Sequence, residues 1–115
     1  MEENEFLEPS FGEIIDLIQQ YEEAVKLKQE VFFEEDNYDR IIQFYQDNRE
    51  YNKALKVVDT ALGQHAFSAF FYTKKAEILA NQTRFDEALQ MLDEAEKLDP
   101  NDINIFLIRA DVYLW

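Results

Sequence analysis

The sequence predicts an all-α protein, a stack of antiparallel helix pairs. Three observations carry that prediction. Only two glycines and two prolines occur in 115 residues, too few for the hairpins of a turn-rich β architecture. Apolar residues recur at helical spacing in successive stretches, separated by short polar breaks. From Tyr38 onward, residue types return at a fixed interval of 34, and a period of that size marks stacked supersecondary units.

Residues 1–9 are acidic and aperiodic and read as a flexible leader. Residues 10–34 read as a capping helix and its link. Ser10 can cap free amides, and Glu13, three residues on, completes a capping box. Phe11, Ile14, Ile15, Ile18, Tyr21 and Val25 then form one apolar stripe of a helix expected over about 11–28. Val31-Phe32-Phe33 is an apolar link. Glu34-Glu35-Asp36 puts negative charge where the positive end of the next helix begins.

The repeat then takes over. Tyr38 returns as Tyr72 and Phe106, Tyr51 as Phe85, Ala54 as Ala88, Leu55 as Leu89, Val58 as Leu92, Asp59 as Asp93 and Ala61 as Ala95. Lys75 returns as Arg109, Ala76 as Ala110 and Leu79 as Tyr113. The first copy, residues 35–68, is expected to hold helices at about 36–47 and 51–62, broken at Asp47-Asn48-Arg49-Glu50 and ended by Gly63 as C-cap. The second, 69–102, starts behind Ser68 as N-cap, breaks at Gln82-Thr83-Arg84, and resumes over 85–98. Pro100 cannot continue that helix, and Asp102 can cap the next.

The third copy, 103–115, has only a first helix, so the chain is expected to come from something longer. Ile103, Phe106, Leu107, Ala110, Tyr113 and Leu114 are its apolar residues, and at least one apolar face is expected to pack on the second copy. Alanines at 54, 61, 88 and 95 let paired helices approach closely, while Tyr38, Tyr51, Tyr72 and Phe85 are expected to fill the gaps between pairs.

Over residues 35–115 this pattern resembles the tetratricopeptide repeat: an aromatic early in each first helix (Tyr38, Tyr72, Phe106), a small residue four later (Ala76, Ala110), an aromatic opening each second helix (Tyr51, Phe85), alanines within it, and a closing Pro100. The resemblance implies a right-handed superhelical solenoid of antiparallel helix pairs. The sequence departs from the family at Ile42, where glycine or alanine is preferred, so the first pair is expected to sit slightly further apart. It departs again at Ala66, which replaces a closing proline. Residues 10–33 match the motif poorly and read as a cap or a decayed repeat.

The resemblance also implies a concave face lined by first helices. It carries over to Asp36, Asp39, Arg40, Gln43, Gln46 and Asp47 in the first copy, to Phe70, Thr73, Lys74, Glu77 and Asn81 in the second, and to Asn104, Leu107, Ile108 and Asp111 in the third. One subgroup of the family clamps acidic chaperone tails there with lysine, asparagine and arginine. This sequence instead has Asp39, Gln43, Lys74, Asn104 and Ile108 at those places, so that clamp is not expected.

Charge narrows the partners. The formal net charge is −14, with −11 of it in residues 1–50, which disfavours nucleic acid and anionic membranes. The inner face has more acid than base, so a bound protein segment is expected to be basic or apolar. Chemistry finds no foothold. The chain has no cysteine, a single histidine (His65) in a link, and no Gly-rich phosphate loop. Glu34-Glu35-Asp36 with Asp39 lacks the alternating ligands and central glycine of a calcium loop. No enzyme activity, metal or cofactor is expected. Without a basic signal start or an apolar stretch long enough to span a bilayer, a cytoplasmic protein-binding scaffold is the reading. The alternatives are a structural cap of a longer array, or a regulatory domain appended to an enzyme or secretion machine. The last helix, lacking its partner, is expected to make a two-fold homodimer as a product of that cut.

Overall fold

The computed structural model describes residues 9–114, so the leader is described only at Pro9, and Trp115 also lies outside. Among the described residues the chain forms six helices: α1 (Phe11–Lys26), α2 (Glu35–Asp47), α3 (Tyr51–Gln64), α4 (Ala69–Asn81), α5 (Phe85–Leu98) and α6 (Ile103–Tyr113). The starts follow the sequence signals. Ser10 Oγ accepts from the Glu13 amide at 3.2 Å, and Asp102 Oδ1 accepts from the Asn104 amide at 2.9 Å. Ser68 occupies the N-cap of α4, but its side chain caps no amide.

The helix ends depart from expectation. Gly63 does not end α3: it lies inside the helix, which runs on to Gln64. The left-handed positions fall on Lys28 (φ 56°), Arg49 (φ 58°) and Thr83 (φ 59°). Each follows a helix in the same way, since the next amide reaches back five residues: Gln29 to Ala24, Glu50 to Tyr45 and Arg84 to Leu79, at 2.8–2.9 Å. These bonds satisfy carbonyls that the helix leaves free. Two substitutions of opposite sense follow. Thr83→Gly relieves a β-branched residue of left-handed backbone, and Gly63→Ala adds a methyl that meets nothing within 4 Å. Each is expected to raise stability by about 0.5–1 kcal/mol, read as a higher urea midpoint.

Helices pack mainly on their neighbours in sequence, and α4 also meets α6. Links of three residues, 48–50 and 82–84, fold α3 back on α2 and α5 on α4. Ala54, Ala61, Ala88 and Ala95 are all fully buried, as close helix approach requires. The contact between α4 and α5 is the most extensive of all. There Ala76 stands where the α2–α3 pair carries the bulkier, equally buried Ile42.

Two cores result. The first joins Ile18 and Tyr21 of α1, and Phe33 of the link, to Tyr38, Ile41, Ile42 and Tyr45 of α2 and Val57 and Val58 of α3. It also takes in Phe71 and Ile78 from α4. The second gathers Ala76 and Leu79 from the other side of α4, with Ala88, Leu92, Ala95, Ile105 and Val112. Thus Phe71 and Ile78 face the preceding pair, as do Ile105 and Val112, 34 residues later.

Burial is uneven among the residues expected to pack. Tyr38 is fully buried, while Tyr51 packs half-buried against the first core and Tyr72 and Phe85 pack half-buried against the second. In α6, packing is made by Ile105, Ile108 and Val112. One apolar face of the helix thus packs, as expected, while Ile103, Phe106, Leu107, Tyr113 and Leu114 are exposed. The interval of 34 also shows in charge. Asp59 pairs with Lys75, and Asp93 with Arg109, each at 2.7 Å.

Candidate binding face

The residues expected on an inner face come from α2, α4 and α6, and the structure divides them. At the crossing of α2 and α4, Lys74 Nζ donates to Gln43 Oε1 at 3.0 Å and lies 3.8 Å from Asp39 Oδ1 and 3.9 Å from Glu77 Oε1. Gln46 Nε2 donates to Glu77 Oε1 at 3.0 Å, and Gln43 Nε2 to Asp47 Oδ1 at 2.8 Å. Phe70 lies beneath the lysine, its ring centre 5.8 Å from Nζ. Five expected residues, Asp39, Gln43, Gln46, Lys74 and Glu77, therefore make one bridge between two helices.

Clefts open on either side of that bridge. One, of about 660 Å³, lies between α4 and α6, where Glu77, Asn81 and Asp111 surround an apolar floor of Ala80, Ile108 and Val112. The other, of about 330 Å³, runs between α1 and α2 and is lined by Phe11, Ile14, Asp39, Arg40, Gln43 and Asp47. The remaining expected residues are placed otherwise. Thr73 is buried and donates to the Ala69 carbonyl at 3.1 Å, within its own helix. Asp36 is exposed in the first turn of α2, and Asn104 and Leu107 are exposed on α6, outside either cleft.

The electrostatics of the bridge are unbalanced. Asp39 Oδ1 and Gln46 Oε1 are buried and have no hydrogen-bond partner. Seven residues apart, they lie on one face of α2. Lys74 is near enough to Asp39 to attract it but too far to hydrogen-bond. Burial raises the Asp39 carboxyl above its ordinary value; Lys74 and Arg40 oppose the rise, while Asp36 and Glu77 add to it.

Sequence reasoning missed a second polar cluster, at the link before α2. Tyr38 donates its hydroxyl to Gln64 Oε1 at 2.5 Å, and Gln64 Nε2 donates to the Val31 carbonyl at 2.6 Å. His65 Nε2 donates to the Phe33 carbonyl at 2.8 Å, and its ring lies 5.4–6.0 Å from those of Phe32, Tyr38 and Phe71. These bonds hold the link against the end of α3. No spacing in the sequence announces them, since the partners lie some 30 residues apart.

Among the described residues no group of acidic or histidine side chains is arranged to hold a metal ion, and no helix is long and apolar enough to cross a membrane. No protein-family model matches the chain, and no curated protein matches it. What the described residues establish is an all-helical domain of six helices packed in sequential pairs.

Proposed function

We propose that the chain is a protein-interaction scaffold without chemistry of its own, a tetratricopeptide-like solenoid that binds a basic or apolar segment along the face of α2, α4 and α6. Support for the solenoid comes from the interval of 34 residues, at which both the buried pair (Phe71 and Ile78, then Ile105 and Val112) and the ion pair recur. The observation that carries the binding reading is the pair of clefts beside the α2–α4 bridge, lined by Glu77 and Asp111 on one side and by Asp39 and Asp47 on the other around apolar side chains. A cationic side chain of a partner would be held there by the carboxylates of Asp47, Glu77 and Asp111, and its apolar neighbours would be received by the cleft floor.

Fluorescence anisotropy with labelled peptides tests the proposal. A peptide alternating lysine or arginine with leucine is expected to bind with micromolar affinity that weakens as salt rises, and peptides ending in an acidic tail are expected not to bind. Micromolar capture of an acidic tail, abolished by Lys74→Ala, overturns the reading. Asp39→Asn gives a second readout, because binding and stability should move oppositely. The raised carboxyl means that ionised Asp39 disfavours the native state at neutral pH. The Asp39→Asn change is therefore expected to stabilise the fold there while weakening the basic peptide. That stability advantage shrinks as pH falls through the raised native value, and is gone below the ordinary carboxylate range, where both states of the natural chain are protonated.

A further inference from the structure

On α6, Ile103, Phe106, Leu107, Ala110, Tyr113 and Leu114 fall at intervals of three and four and so form one stripe. The stripe is open. Phe106 is 70% exposed, Tyr113 73% and Leu114 85%, while Ile105 and Val112, on the other side of the helix, are buried against α4 and α5. The corresponding stripes earlier in the chain are covered. Tyr38, Ile42 and Tyr45 lie in the core shared with α3, and Tyr72, Ala76 and Leu79 in the core shared with α5. Among the described residues no helix does the same for Phe106, Ala110 and Tyr113.

We infer that this stripe joins two copies of the chain, α6 lying antiparallel on α6 about a two-fold axis near Ala110. Charge restricts two copies to this face. With a net charge of −14, two copies repel wherever charged surfaces meet. Counting Lys and Arg against Asp and Glu, α1, α2 and α5 are negative, and α3 and α4 are positive by one each. Only α6 of the six is neutral, with Arg109 set against Asp111. Arg109 is moreover held by Asp93 and Glu96 of its own chain, at 2.7 and 3.1 Å.

Register supports the same partner. With Ala110 opposite its own copy, Phe106 meets Leu114 and Leu107 meets Tyr113, and each contact is made twice, as a two-fold interface requires. A small residue at the crossing permits close approach, the device that Ala54, Ala61, Ala88 and Ala95 supply within the chain. The exposed part of the stripe amounts to roughly 600 Å² per copy. About 1,200 Å² in the pair is the lower limit of specific interfaces, so a dissociation constant on the order of 10–100 µM is expected.

Analytical ultracentrifugation of the 115-residue chain across a concentration series tests this, beside the variants Phe106→Glu and Tyr113→Glu. The natural chain is expected to pass from monomer to dimer. Each variant is expected to weaken that step about tenfold or more without altering helix content, since both side chains are exposed. Dimerisation is expected to strengthen as salt screens the net charge, the reverse of binding by a basic peptide, so this inference can fail while the proposed function stands. The chain contains no cysteine, so an Ala110→Cys variant should oxidise to a covalent dimer, and a Gln90→Cys variant, exposed on α5, should not. A monomer persisting at millimolar concentration overturns the inference, as does a dimer that survives both glutamate variants with the fold intact. Equal cross-linking at 110 and 90 overturns it too. So does unfolding by Phe106→Glu, because the stripe would then be in use within the chain.

Discussion

Phe71→Ala is expected to lower the free energy of unfolding by about 3–5 kcal/mol, the usual range for removing a buried phenylalanine. Phe71 belongs to α4 yet sits in the core formed by α1, α2 and α3, fully buried. Its ring meets that of Tyr38 edge-on, with centres 6.3 Å apart and planes at 88°, and lies 5.9 Å from His65. Truncation would open a cavity where one helix pair joins the next, and the stiff rings of Tyr38 and His65 beside it cannot flex to refill it. Phe70, next in sequence and 42% exposed, is the natural control. Phe70→Ala is expected to fall below about 1 kcal/mol. Urea midpoints displaced equally by the two changes would show that α4 meets the first core in another register.

Ala88→Leu is expected to lower stability by about 1–3 kcal/mol through overpacking. Ala88 is fully buried where α4 and α5 make their most extensive contact, and three added carbons must separate two helices whose spacing the alanines set. Gln90, two residues on and exposed, should accept leucine within about 0.5 kcal/mol. Equal urea midpoints for the two leucine variants would contradict the pairing of α4 with α5.

The alanine pattern was legible because a small residue recurring in a helix of larger ones has few uses other than close packing. The caps at Ser10 and Asp102 were legible because their chemistry is local. Burial within α4 was not. Phe70, Phe71 and Tyr72 are three aromatics in succession, and helical periodicity alone cannot say which faces inward when a helix contacts neighbours on two sides. In α6 the same ambiguity left open which apolar residues pack, and Ile105 is buried where Phe106 is exposed. The left-handed helix ends fell on Lys28, Arg49 and Thr83, residue types that signal no such backbone. For the candidate face, the polar residues could be assigned to the right helices. That Lys74 would close the gap between α2 and α4, leaving a cleft on each side, depends on distances between helices that no residue pattern carries. The pairing of Asp59 with Lys75 lay closer to view, since both residues recur 34 positions later and their partnership recurs with them.

The division of the interior into two cores bears on how the chain comes apart. Leu55 packs against both clusters, and α4 contributes opposite sides to each, so the two halves share a wall rather than a centre. The first half is built on large side chains such as Tyr38, Tyr45 and Phe71, and the second on Ala76, Ala88 and Ala95 with Leu79 and Leu92. Less apolar area is withdrawn from water in the second half, so less work is needed to separate it. Backbone amides of α5 and α6 are accordingly expected to exchange with solvent through partial opening, and those of α2 and α3 only on complete unfolding, which hydrogen exchange read by mass spectrometry checks. In such a molecule a single melting temperature averages two events. A substitution in the second half moves the earlier event and leaves the later one almost where it was.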